Sequence, residues 1–208
     1  MDFKKLLEKR RACHSFKKGV KIPDADLKEM ISQTALTPSG YNAQPWEFII
    51  IREEQNIERM GEIAFSQPHV KDASAIIIVL GDSIIGRNVD PLLEDWLKFG
   101  YCTKEEIPVF RNSIAKNRQP EKLKKMALRN AMLAAMTLIY AAEDMDYATC
   151  PIMGFSQKDL EAELSIPEDR VIALMIAIGE MDPKNQKPRL PRKSSGEMIH
   201  WENFKNSE

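Results

Sequence analysis

Cysteine is scarce in this chain. Cys13, Cys102 and Cys150 are odd in number, far apart and outside any CxxC spacing. That excludes a disulfide framework and points to a reducing compartment. Histidine is as rare, and His14, His69 and His200 are too scattered along the sequence to suggest a zinc site, so no metal is expected. Neither sign of charge prevails: 30 Lys and Arg face 31 Asp and Glu, a formal net charge of -1. Such a balance leaves no electrostatic footprint for duplex nucleic acid. The longest apolar stretch, residues 131–142 broken only by Thr137, falls short of the ~20 residues a membrane helix needs. The opening Met-Asp-Phe-Lys-Lys lacks the apolar h-region of a secretory signal, so a soluble, cytoplasmic protein is the expectation. A GxGxxG after a strand is missing as well, which argues against a separate Rossmann site for a dinucleotide.

What is present is enough for a core: 43% of 208 residues are hydrophobic. Helices are predicted over residues 3–11, from Pro23-Asp24 to the Pro38-Ser39-Gly40 stop, over 53–63, 121–143 and 157–164, the last with Ser156 as N-cap. Strands are predicted over 46–51, 75–80, 147–151 and 171–179. The 75–80 run, Ala-Ile-Ile-Ile-Val-Leu, has no polar alternation and reads as covered on both faces. Residues 87–118 are the most polar part; two short helices with a break near Pro108 are expected there. Strands separated by helices indicate an α/β or α+β sandwich, a small central sheet flanked by helices.

Four short constellations carry candidate chemistry. In Lys9-Arg10-Arg11-Ala12-Cys13-His14, two adjacent arginines at a helix-to-loop turn can aim guanidinium forks at one anion. In Pro38-Ser39-Gly40-Tyr41-Asn42-Ala43-Gln44-Pro45-Trp46, Asn42 and Gln44 both donate and accept, as the edge of an amide-like ring requires. In Cys150-Pro151-Ile152-Met153-Gly154-Phe155, Gly154 allows a flat ligand close to the backbone. In Lys187-Pro188-Arg189-Leu190-Pro191, prolines stiffen an extended segment so that Lys187 and Arg189 project to one side. Taken singly, each has a plainer reading: a solvated basic cluster, an anchored loop, a strand-to-helix turn, a basic tail.

Their order and spacing together resemble the nitroreductase family of FMN-dependent oxidoreductases, nearly end to end from Arg10 to Pro191. The Pro-Ser-Gly-x-Asn-x-Gln-Pro-Trp run is the most specific part. The resemblance implies one nitroreductase-like domain over residues 1–208, a three-layer sandwich. It implies a homodimer with FMN at the subunit interface and a C-terminal arm, 181–208, packing on the partner subunit. It places Arg10, Arg11, Lys187 and Arg189 at the FMN phosphate and ribityl chain, and Pro38, Ser39, Asn42 and Gln44 beside flavin or ribityl. Met153 and Gly154 then face the ring near its hydride-accepting nitrogen, and Ala12, His14 and His69 line the same cofactor site.

Three positions depart from the pattern. Ala12 stands where serine is common, His14 where Arg or Lys is usual, and Met153 where some relatives have glutamate. A histidine supplies positive charge only when protonated, unlike arginine. The implied function is electron transfer from NADH or NADPH to a nitroaromatic, quinone or similar small acceptor. It would proceed by a ping-pong mechanism, with no side chain acting as nucleophile. Residues 87–118, with Trp96, Phe99, Tyr101 and Phe110, are the candidate lid, the plainer reading being that these rings pack their own helices. A flavin-storage protein without turnover, or a related reduction such as dehalogenation, are the alternatives.

Overall fold

The computed structural model describes residues 2–84, 87, 89–115, 119–186 and 188–204. Four strands form one sheet: β1 (Trp46–Ile51), β2 (Ala75–Asp82), β3 (Ala148–Ile152) and β4 (Arg170–Gly179), in the order β1-β2-β4-β3. Each neighbouring pair is antiparallel. The uninterrupted apolar run of β2 is therefore not the mark of a parallel sheet; it reflects burial on both faces. Ile76, Ile78 and Leu80 face one core with Met175 and Ala177. Ala75, Ile77 and Val79 face the other with Leu174, Ile176 and Ile178.

Helices supply the outer layers. α3 (Glu54–Ile63), α4 (Pro68–Lys71) and α8 (Gln157–Glu163) cover the first face through Ile57, Met60, Val70 and Leu160. α2 (Asp24–Thr34) and α7 (Pro120–Asp144) cover the second through Leu27, Met30, Ala131, Ala135 and Leu138. α7 is alanine-rich where it meets the sheet because it lies close. A Cβ on Gly81 of β2 would come within 2.7 Å of the Ala127 carbonyl oxygen. α1 (Phe3–Lys9) precedes this body, and α5 (Val89–Lys98) and α6 (Ile107–Ala115) form the excursion between β2 and α7.

The predicted strands and longer helices fall where expected, within one or two residues at their ends, except that α2 stops at Thr34, well before the Pro38-Ser39-Gly40 stop. Pro108 is not the break between α5 and α6. It sits in the first turn of α6, where a missing N–H costs nothing and the ring's φ already suits a helix. The break falls at residues 99–106, next to Gly100 with φ +72°. Ser156 does stand at the N-cap of α8, but its side chain makes no capping bond. The short α4, preceded by the positive-φ pair Phe65 and Ser66, is a helix that pattern reading did not provide. Among the described residues no helix is long and apolar enough to cross a membrane.

Candidate functional site

The two ends of the chain meet beside the β3 edge of the sheet. Asp2 caps α1, and the helix stops at Arg10, whose backbone turns extended. The next residues run parallel to β3: Ala12 bridges Thr149, and the Cys13 N–H donates to the Thr149 carbonyl at 2.9 Å. Phe16 then bridges Met181, with the Lys17 N–H on the Glu180 carbonyl and the Asp182 N–H on that of Ser15. Gln186 fixes the crossing by donating to the Ser15 carbonyl at 2.9 Å and the Asp182 carbonyl at 3.2 Å. Nothing in the sequence marks Gln186 apart from its place before Lys187-Pro188-Arg189. Gly179 leaves room for the crossing, since a Cβ there would stand 3.1 Å from the Phe16 ring.

Arg189 ends against the C-terminus of α1. Its guanidinium donates to the carbonyls of Glu8 at 2.9 Å, Leu7 at 3.2 Å and Arg10 at 2.8 Å. These carbonyls have no partners within the helix and carry the negative end of its dipole, which a cation offsets. Three of the five donors of Arg189 are thus used on backbone, and two remain for other acceptors. Arg10 and Arg189 are brought together; Lys187 lies outside the described residues.

Deeper along the same edge, His14 and His69 stack edge to face, ring centroids 5.0 Å apart at 89°. Separation in sequence therefore did not keep these two histidines apart in space, contrary to the expectation, whereas His200 packs with Phe204 in the C-terminal segment. Their ring nitrogens and the Cys150 sulfur lie within 4.8 Å of one another. His14 is exposed, while His69 and Cys150 are buried. Burial first, and the neighbouring His14 second, hold the His69 pKa below the ordinary value. Burial pushes the Cys150 thiol up to about 11. Past the end of β3, Met153 is 72% exposed. The backbone there is held by Gln67, whose amide donates to the Gly154 and Ala64 carbonyls, each at 2.9 Å.

The second constellation lies elsewhere. Residues 40–42 form a single 3-10 turn, and Tyr41, Asn42 and Gln44 all have positive φ, at 61°, 55° and 45°. The turn is held by the Ser39 hydroxyl, which accepts from the Gln44 N–H at 2.9 Å, and by Asn130 of α7, which accepts from the Gly40 N–H at 3.1 Å. It leads into β1 at the opposite edge of the sheet from Ala12. Trp46 is level with Gly81 and Val171, whereas Thr149 is level with Ile178. Four strand spacings, roughly 19 Å, and about as much along the strands therefore separate Ala12 from the turn within one chain. Tyr41 faces Trp96 of α5 at 6.4 Å, and Trp96 meets Phe110 of α6 edge-on at 5.2 Å. Two of the four candidate lid aromatics thus pack the excursion against the turn, while Phe99 and Tyr101 are exposed.

Residues 7–180 match the model of the Nitroreductase family, most of the chain. The chain belongs to the nitroreductase family. Among relatives, the NAD(P)H nitroreductase MhqN of Bacillus subtilis is 28% identical over 203 residues, covering 96% of this chain and 98% of that one. The oxygen-insensitive NADPH nitroreductase of Helicobacter pylori is 26% identical over 209 residues, covering 95% of each. Among solved structures, the nitroreductase ydfN of Bacillus subtilis superposes with a TM-score of 0.90 at 28% identity, covering 96% of this chain and 98% of that one. A nitroreductase from Exiguobacterium sibiricum, solved in complex with FMN, gives 0.83 at 25% identity with 97% of each chain covered. The fold described above is thus the nitroreductase fold.

Proposed function

We propose that the chain is an NAD(P)H-dependent flavoenzyme that works as a homodimer and binds FMN at each subunit interface. The observation that carries this reading is the meeting of the two basic chain ends, with the Arg189 guanidinium 2.8 Å from the Arg10 carbonyl. Arg10, Arg11 and Arg189, with Lys187, are the groups assigned to the phosphate, for which guanidinium forks are matched in shape and charge. Ala12, His14 and His69 are assigned to the ring edge, and the exposed Met153–Gly154 backbone to the face where hydride arrives. Pro38, Ser39, Asn42 and Gln44 complete the site from a second copy. The roughly 19 Å across the sheet, with about as much again along the strands, is longer than an FMN molecule, so one chain does not supply both halves to one ligand.

The donor set fits a flat, phosphate-bearing group: cations at one end, amide and imidazole edges at the other, and an open peptide between them. Bound FMN would supply the two-electron chemistry, taking hydride from NADH or NADPH in one half-reaction and reducing a nitroaromatic, quinone or similar acceptor in the other half of the same turnover. The residues bind and orient. Gln67, by holding the Gly154 carbonyl, fixes which way the adjoining peptide faces. The turn at Asn42–Gln44 is held by the Ser39 hydroxyl and by Asn130, which lowers the ordering cost of binding. Trp96 ties α5 to that turn. Exposed Leu190, Met198, Ile199, Trp201 and Phe204 make the C-terminal arm an apolar strap for the second copy.

A mixed dimer tests this. One chain carries Arg10→Ala with Arg11→Ala; the other, differently tagged, carries Asn42→Ala with Gln44→Ala. Each parent alone is expected to bind FMN at least ~10-fold more weakly, since charge-assisted hydrogen bonds are lost. The purified heterodimer rebuilds one intact site of two, so it should regain about half of the full flavin content. A heterodimer no better than its parents would refute the shared site. Flavin absorption that bleaches on anaerobic NAD(P)H would establish cofactor and donor together; a colourless protein that takes up no FMN would reject both.

A further inference from the structure

We propose that His14, His69 and Cys150 form a three-ligand site for a thiophilic divalent cation such as Zn2+, with a fourth position open to solvent beside His14. The three side chains come from three separately anchored elements. Cys150 lies on β3, in register with Ala177 of β4. His69 is in the single turn of α4, whose end is closed by the Asp72 N–H on the Pro68 carbonyl. His14 follows the bridge between Ala12 and Thr149. Two ligands are therefore fixed and buried, and the third is exposed and free to adjust.

The distances are near what zinc needs. Ligand atoms around a tetrahedral Zn2+ stand roughly 3.5 Å apart, given ~2.1 Å Zn–N and ~2.3 Å Zn–S bonds. Here all three lie within 4.8 Å of one another, so a closing of about 1 Å shared among the three side chains completes the set. Two imidazoles and a sulfur, without a carboxylate, select zinc, cobalt or copper over magnesium or calcium. Three protein ligands with an open position match a reactive rather than a closed structural site. The proton balance is simple: the Cys150 thiol gives up its proton to solvent as the metal–sulfur bond forms, and no electron moves. The site carries net charge +1 once filled.

This site stands on its own geometry. On the flavin reading, however, His14 and His69 also edge the FMN cradle, so metal and FMN exclude each other there, and metal binding becomes a brake on flavin loading.

Cobalt(II) serves as the spectroscopic probe on the full-length protein freed of flavin. The expected result is one cobalt per chain, a thiolate-to-cobalt charge-transfer band, one proton released per metal, and displacement by zinc. Cys150→Ser should abolish the band, and His69→Ala should weaken cobalt binding by at least ~10-fold, the least that even supporting groups cost a metal site. His14→Ala, at an exposed position that leaves the core intact, should do the same and keeps the test valid if a buried variant fails to fold. Cobalt binding without the band, or with affinity unchanged in His14→Ala, overturns the site. Zinc added to the FMN-loaded dimer should release flavin fluorescence. Absence of that release, with the cobalt band intact, overturns the exclusion alone; failure of the protein to take up FMN at all overturns the flavin reading and not the metal site.

Discussion

At the corner where β1 begins, charges of opposite sign are matched against each other; at the corner where the chain ends cross, a guanidinium is held by backbone. In the first, Arg170 grips both oxygens of Glu47 at 2.6 and 2.9 Å and reaches Asp169 at 2.9 Å and Asp82 at 3.3 Å. Arg87 pairs with the same two aspartates. The Asp82 N–H donates to the Pro45 carbonyl, tying this network to the turn. In the second, Arg189 is satisfied by carbonyls rather than carboxylates, and Arg10 lies beside it. The difference separates a platform from a receptor. The first corner is electrically closed and holds three non-glycine residues at positive φ, a strain of order 1 kcal/mol or more each. The second holds Arg189 on backbone carbonyls and leaves two of its donors for an anion arriving between the chain ends.

Removing the clamp of the first corner should have the largest effect. Arg170→Ala leaves Asp82, itself buried, with only the more exposed Arg87 as its cation. A loss of about 3 kcal/mol is expected in urea unfolding, the low end for a broken buried pair because Glu47 is half exposed. Arg170→Lys should recover only part of it, since a point charge cannot replace the bidentate fork. A loss under ~0.5 kcal/mol, the level of an ordinary surface substitution, would show that the corner is held by packing and that the contrast is false.

Gly81→Ala tests the same platform from beneath. The added methyl meets the Ala127 carbonyl oxygen and carbon at 2.7 and 2.8 Å, both backbone, so α7 must move off β2. About 2 kcal/mol should be lost, by overpacking. Since α7 also carries Asn130, which accepts from the Gly40 N–H, FMN affinity should fall as well. Unchanged FMN affinity in a destabilised Gly81→Ala would show that the turn is positioned independently of α7. At the second corner, Arg189→Ala should cost about 1 kcal/mol locally, read as ~5-fold faster amide exchange in α1 with the global midpoint little moved.

The fold was largely legible in the residues, because burial on two faces leaves a plain signature: β2 is apolar at every position of Ala75–Leu80 and α7 presents alanine to the sheet. The site was legible only in its pieces. Turn chemistry marked Pro38–Trp46, and basic pairs marked both chain ends. Their arrangement was not, since it depends on strand order, and β1 and β3 fall at opposite edges only because β4 inserts between β2 and β3. The pairing of His14 with His69 was hidden for the same reason, as was the role of Gln67, a side chain that acts on backbone 87 residues away. Arg189 shows a further limit: the sequence exposes a cation, but not that most of its donors are spent on the end of α1.

The smallest expected effect concerns a carboxylate just behind the second corner. Glu143, near the end of α7, is buried with Lys9 at 3.5 Å, while Lys9 makes a closer pair with the exposed Asp146 at 2.6 Å. Burial raises the Glu143 pKa above the ordinary 4.5, and Lys9 only partly opposes it. The folded chain therefore holds a proton at Glu143 that the unfolded chain has already released, so stability falls as pH rises from 4.5 through the raised value and stays lower above it. Asp146 acts oppositely and elsewhere. Its pKa is lowered, first by the hydrogen bond from Lys9, so its contribution is present above 3.8 and lost as pH falls through the lower folded value. The two windows do not overlap. Urea midpoints of wild type and Glu143→Gln, compared at about pH 4.5 and about pH 7.5, should thus show wild type losing ground to the variant at the higher pH. If the two curves run parallel, Lys9 neutralises Glu143 fully, and the second corner is as electrically closed as the first.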